Sequence, residues 1–135
     1  MPVQITVVST ADPLRVRIAG AIDADDSARL SGEIQRLVQG RQAPRVIIDL
    51  TALDGATIIA RRSLVAMQAQ LKAVAARTAY LCSSPLMRGL GLSVGHLAED
   101  EGVKAVMNEE QAAAWLSSTE GRFARADRIL SGGGR

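Results

Sequence analysis

The residues of this chain that could do chemistry are few, and their spacing argues against bond-making. His96 is the sole histidine; it has no cysteine pair nearby and no nucleophile at a recognisable spacing, so neither a metal-ligand set nor a triad is on offer. Cys82 sits in the apolar run Tyr80-Leu81-Cys82 and reads as a buried core thiol. Asp23, Asp25 and Asp26 make a loose acidic cluster without the glycine and distal glutamate of a calcium loop, and helix capping accounts for them. Gly89-Leu90-Gly91 has two glycines but neither dinucleotide-binding nor P-loop spacing, which leaves a close-packing or turn role. No catalytic residue, metal or cofactor is expected, and the chain reads as a non-enzyme.

What remains is chemistry of contact. Thr57-Ile58-Ile59 is followed by Arg61-Arg62. Thr57 can cap a helix. The two isoleucines are either a docking patch or core at a loop-to-helix junction, and the fold is expected to bury at least one of them. Arginine forms bidentate pairs with carboxylate or phosphate, although a solvated helix face is the more common explanation of such a pair. Two arginines in a first turn oppose the helix dipole by roughly a few tenths of a kcal/mol each. That local cost is consistent with a site that meets an acidic partner.

The rest of the chain must hold this segment in place. With 135 residues it is long enough for one domain and too short for two. Hydrophobic residues make up 47% and aromatics only 2%, so the core must be aliphatic. A net charge of +2 with no basic face and no stacking aromatics gives no ground for a nucleic-acid partner. The single cysteine suits a reducing, cytoplasmic compartment. MPVQITVV lacks the features of a signal peptide, and no apolar run approaches the roughly 20 residues of a membrane helix, so no membrane insertion is expected.

Periodicity supplies the elements. Val3 to Val8 and Leu14 to Ala19 read as strands joined by the turn Ala11-Asp12-Pro13, the second with Arg15 and Arg17 facing water. A helix follows, capped by Asp23, Asp25, Asp26 or Ser27, with Leu30, Ile34, Leu37 and Val38 on one face and Gly40 as its stop. Arg45 to Leu50 is a strand whose unbroken Val-Ile-Ile suggests cover on both faces. The loop Thr51 to Ala56, with Asp54-Gly55 as its turn, leads to a helix from Ile58 or Ile59 to Ala76. Its stripe is Leu64, Met67, Leu71 and Val74. Thr78 to Cys82 is a strand, and Ser84-Pro85 opens a helix that the glycines at 89, 91 and 95 should keep short. Val103 to Met107 is a last strand, and Asn108 caps a helix from Glu109 to Leu116. The alternation predicts an α/β fold, a four- to five-stranded mixed sheet with parallel central strands, an N-terminal hairpin and about four helices. Residues 117–135 read as a polar, flexible extension that could begin with a short helix through Phe123, Ile129 and Leu130.

This order of elements resembles the STAS domain (sulphate transporter and anti-sigma-factor antagonist) over residues 1–116. The resemblance is carried by Gly20-Ala21-Ile22-Asp23 after a hairpin, by Val46-Ile47-Ile48-Asp49-Leu50-Thr51, by the long helix that starts soon after, and by Glu109-Glu110-Gln111-Ala112 before Trp115-Leu116. In antagonist-type members the loop that opens the long helix reads Asp-Ser-Ser/Thr-Gly, and its first hydroxyl is phosphorylated by a partner kinase. Counted without gaps, those positions fall on Thr57, Ile58, Ile59 and Ala60. The phosphoacceptor position is Ile58, which has no hydroxyl.

The resemblance implies a bacterial protein–protein interaction module in signalling and transcription regulation, regulating a partner by docking through Asp54, Thr57, Ile58, Ile59, Arg61 and Arg62. Thr57 is the alternative phosphosite, although the cap is its simpler role. The implied partner is a kinase-like anti-sigma factor. A second implied role is an accessory subunit of an ABC-type transport system that binds the ATPase. A third reading is an anion- or nucleotide-sensing domain at the helix N-termini near Thr57 and Pro85. A homodimer is compatible with each.

Overall fold

The computed structural model describes residues 2–118. Strands β1 (Gln4–Ser9) and β2 (Leu14–Ala19) form an antiparallel hairpin. A 3-10 turn, Ala24–Asp26, leads into α1 (Ser27–Val38); the Asp23 amide donates to the Asp26 carboxylate at 2.8 Å across that turn, whereas Asp26, the N-cap of α1, makes no side-chain cap bond to the helix. Then follow β3 (Arg45–Asp49), α2 (Ile58–Ala73), β4 (Arg77–Leu81), α3 (Pro85–Leu97), β5 (Val103–Val106) and α4 (Glu109–Ser117). The sheet order is β1-β2-β3-β4-β5, and β2 through β5 are parallel. This is the mixed five-stranded sheet with four helices that the alternation implies. The extension expected from Ser117 starts one residue too early, since Ser117 ends α4, and its short helix through Phe123, Ile129 and Leu130 lies outside the described residues, which stop at 118.

The sheet is covered on both faces. Val46 and Ile48 point into the main core, where Leu30 and Ile34 of α1, Leu64 and Met67 of α2, and Val94 of α3 meet them. Ile47, between them, points the other way and packs with Ala79, Leu81 and Val106 against Ala112, Trp115 and Leu116 of α4. Alternate residues of one strand thus enter two cores, which is why the Val-Ile-Ile run is unbroken. Each such side chain, fully buried, contributes about 1.5–3 kcal/mol relative to exposure.

Two expectations are corrected. Arg15 does not simply face water: it is partly covered and pairs with Glu109 of α4, while Arg17 is exposed as expected and stands 3.5 Å from the Asp49 carboxylate. Helix α3 is not short but runs 13 residues. Two of its glycines are there for contact. A Cβ on Gly91 would stand 2.9 Å from that of Ala105 and 3.3 Å from that of Tyr80, and one on Gly95 would stand 3.2 Å from Val103 Cγ1. Glycine's propensity cost, about 1 kcal/mol against alanine, is outweighed by the close seating of α3 on β4 and β5.

Buried polar groups tie the layers together. The Tyr80 hydroxyl donates to Gln68 Oε1 at 2.7 Å, Gln68 Nε2 donates to Asp100 Oδ2 at 2.9 Å, and the Gly102 amide donates to Asp100 Oδ1 at 2.9 Å. On the opposite face Trp115 Nε1 donates to the Thr78 carbonyl at 2.9 Å. Arg77 lies over the indole, its guanidinium carbon 3.6 Å from the ring centroid.

Candidate functional site

The segment between β3 and α2 is fixed before it reaches the helix. Gly20, at φ +83°, takes a conformation that a side chain would strain, and this lets it bond in both directions. Its amide donates to the Ala52 carbonyl at 3.0 Å, and its carbonyl accepts from the Asp54 amide at 2.8 Å. Leu53 is buried beneath the turn, and Gly55, at φ +84°, redirects the chain toward α2. The Asp49 carboxylate at the head of this loop accepts from the Thr51 amide at 2.9 Å and from the Thr51 hydroxyl. Burial alone would raise the Asp49 carboxyl, but the Thr51 hydrogen bonds and Arg17 outweigh it and hold it below the usual carboxylate range.

Thr57 is the N-cap of α2, and its hydroxyl accepts from the Ala60 amide at 3.0 Å. Ile58 is the first residue of the helix, at the position where the ungapped count places the phosphoacceptor. The expectation that one isoleucine is buried is corrected: Ile58 is 61% exposed and Ile59 43%. The physical reason is helical phase. The buried stripe of α2 is Ala60, Leu64, Met67 and Leu71. With about 100° per residue, Ile58 and Ile59 lie off that face.

Ile58 does not stand alone. A groove of about 360 Å³ separates α2 from α3, with Thr57, Ile58 and Arg61 on one wall and Pro85, Leu86, Gly89 and Ser93 on the other. Leu86, 68% exposed, is the apolar counterpart of Ile58 across it. The N-terminus of α3 is ordered by the same device as that of α2: Ser84 accepts from the Met87 amide at 3.2 Å, and Pro85 is in the first turn. Of the residues singled out in the sequence, the groove gathers Thr57, Ile58 and Arg61. Asp54, Ile59 and Arg62 are exposed nearby but do not line it. Leu86 is the residue that sequence reading missed, because an α3 cut short by its glycines leaves no reason to ask which way its first turn faces.

Chemically the groove offers an apolar cleft with an arginine at its rim. Among the described residues no group of three or more His, Cys, Asp or Glu side chains could hold a metal ion. Cys82 is buried beneath α3, and burial pushes its thiol up to about 11 although Arg88 opposes the shift and the Asp49 charge adds to it. Among the described residues no helix is long and apolar enough to cross a membrane.

No family model matches the chain, and no curated protein matches it. Solved structures do. An anti-sigma factor antagonist from Mycobacterium paratuberculosis is 19% identical with a TM-score of 0.62, over 86% of this chain and 95% of that one. The anti-sigma factor antagonist SpoIIAA in its unphosphorylated form is 21% identical with a TM-score of 0.56, over 83% and 94%. A STAS domain protein from Planctomyces limnophilus is 17% identical with a TM-score of 0.53, over 87% and 100%. The fold is that of the STAS, or SpoIIAA-like, domain, as the resemblance in sequence implies.

Proposed function

We propose that this chain is a non-catalytic docking module of the anti-sigma factor antagonist kind, and that it engages a kinase-like anti-sigma partner at the mouth of α2 without a phosphoacceptor there. The observation that carries the reading is the exposure of Ile58 at the first position of α2, where a phosphorylatable hydroxyl is expected in such proteins. An exposed β-branched aliphatic at a helix entrance has no part in the core of the isolated chain, and burying it against another protein contributes about 1.5–3 kcal/mol. Leu86 across the groove extends the same apolar surface, and Arg61 favours a partner with a carboxylate beside its apolar anchor.

The missing hydroxyl changes how such a contact is controlled. A phosphate at a helix N-terminus is stabilised by free amides and the dipole, and its charge alters docking. Ile58 takes no phosphate, so the contact persists when the partner has ATP. Thr57, the adjacent hydroxyl, serves as the helix cap and is not a switch.

The test is a phosphotransfer and retention assay with the partner kinase. The chain should stay bound and unmodified in the presence of ATP, whereas Ile58→Ser should acquire phosphate and dissociate. Phosphate on Thr57 of the unaltered chain would overturn the unswitched reading. Capture of a transporter ATPase instead of an anti-sigma protein would overturn the choice of partner.

A further inference from the structure

The arginines of this chain divide by whether they have a partner. Among the described residues, the guanidinium groups of Arg61, Arg62 and Arg88 form no hydrogen bond or ion pair, whereas that of every other arginine meets a carboxylate or a backbone carbonyl. Asp54, exposed in the loop ahead of α2, pairs with none of the three.

The fold gathers these arginines at one edge. Strands β3 and β4 run parallel and in register to Asp49 and Leu81, and α2 and α3 both start beyond that edge. The two helix starts are built alike. Each has a hydroxyl at the N-cap (Thr57, Ser84), an exposed aliphatic at the second helical position (Ile59, Leu86), a buried apolar residue at the third (Ala60, Met87) and an arginine at the fourth (Arg61, Arg88). Neither has an acidic residue in its first turn, although α4 opens on Glu109 and Glu110 and the turn into α1 carries Asp25 and Asp26. The positive ends of two helix dipoles and three unpaired guanidinium groups therefore share this edge, an arrangement that disfavours the isolated chain. The other flank of α3, where a groove of about 450 Å³ runs to β5, is lined by no arginine or lysine among the described residues.

The positive charge surrounds an apolar cleft. Arg61 lines the α2–α3 groove with Ile58 and Leu86, and Arg62 and Arg88 are exposed beside it in the same two helices. Arginine together with exposed aliphatic side chains is the composition of a protein-binding surface. Single-stranded nucleic acid calls for stacking aromatics, and none lines the groove. A concave cleft takes a side chain, not the flat face of a bilayer.

We propose that the partner segment seated at the α2–α3 groove is acidic and apolar together: an apolar side chain enters between Ile58 and Leu86, and carboxylates around it meet Arg61, Arg62 and Arg88. The proposal rests on docking at this groove and adds the charge that the partner must carry. The same charge speeds encounter, since a positive patch steers an acidic surface toward it.

The probes are two synthetic helical peptides, one with leucine anchors flanked by glutamate and one with lysine at each glutamate position, titrated into the 15N-enriched full chain. The glutamate peptide should shift the amide signals of Ile58, Arg61 and Leu86, and raising salt from about 0.1 M to about 1 M should remove most of the effect. The lysine peptide should leave them unmoved. Arg61→Glu, Arg62→Glu and Arg88→Glu together should weaken the glutamate peptide about tenfold or more, whereas Arg61→Lys, Arg62→Lys and Arg88→Lys should retain it. Glutamate suits the start of a helix, so the charge-reversed chain should unfold at the same urea concentration as the wild type or a higher one. A lower midpoint would assign the arginines to the fold and overturn the proposal. It is also overturned if both peptides bind alike, if neither binds, or if phosphatidylglycerol vesicles or single-stranded DNA shift the same signals as strongly. Shifts that follow the glutamate but fall outside α2 and α3 would overturn the docking reading itself, and this proposal with it.

Discussion

Gly89 and Gly91 sit two residues apart in one helix, and alanine at the two positions should have opposite consequences. Both substitutions gain the same helix propensity, about 1 kcal/mol. At Gly89 a Cβ meets nothing within 4 Å, so Gly89→Ala should keep that gain. At Gly91 the new methyl would lie 2.9 Å from Ala105 Cβ, a carbon fixed directly to the β5 backbone, and 3.3 Å from Tyr80 Cβ. Carbon atoms in contact prefer about 3.5–4.0 Å, so α3 or β5 must move by roughly half an ångström or more. Overpacking of this kind costs about 1–3 kcal/mol. The shared propensity term cancels in the comparison, and Gly91→Ala should be less stable than Gly89→Ala by about that 1–3 kcal/mol. Urea unfolding followed by far-ultraviolet circular dichroism measures the gap. With a slope of about 1–3 kcal/mol per molar, the midpoints should separate by roughly 0.3 M or more. Equal midpoints would refute the seating of α3 on β5 and, with it, the width of both grooves that α3 borders.

Tyr80→Phe removes the donor to Gln68 Oε1 inside the core and should destabilise the chain by about 1–3 kcal/mol; thermal unfolding that matches the wild type would show that the Tyr80–Gln68–Asp100 chain is not formed. Cys82, held at about 11, has about one thiol in a thousand ionised at pH 8, against roughly a quarter for an ordinary cysteine, so a disulfide reagent should modify it slowly in buffer and fast in urea. Rapid modification in buffer would contradict its burial. Asp49 has a folded-state pKa below its unfolded value, so its contribution to stability is complete above the ordinary carboxylate value near 4 and is lost as pH falls through the lowered one. Asp49→Asn should therefore lower the urea midpoint at pH 7 and narrow its difference from the wild type as the medium is acidified below about pH 4; a difference that does not change with pH would contradict the shift.

Much of the frame was legible because local chemistry and tertiary role agree in it. The strand Leu14–Ala19 is written in strict alternation, and Ser84-Pro85 and Asn108 announce helix starts that the backbone adopts. The failures have a common cause, in that neighbours across the sheet decided what the local signal could not. Glycines at 91 and 95 argue locally for a short α3, yet Ala105 and Val103 require them in a long one. Arg15 reads as solvated until Glu109, 94 residues later, folds over it. At the site, Thr57 and Ile58 could be named from the resemblance and Arg61 from its neighbour. Leu86 and the groove that joins it to Ile58 are products of α2 and α3 lying side by side, and no spacing within either segment encodes that.

The sharpest measurement is the affinity of the chain for the anti-sigma partner proposed for it, by titration calorimetry, with Ile58→Asp and Leu86→Asp made singly. Both side chains are exposed in the isolated chain, so its stability should be nearly unchanged while each substitution weakens binding by roughly 10- to 150-fold, the equivalent of about 1.5–3 kcal/mol of apolar burial. Affinity that survives both substitutions intact would contradict docking at the α2–α3 groove.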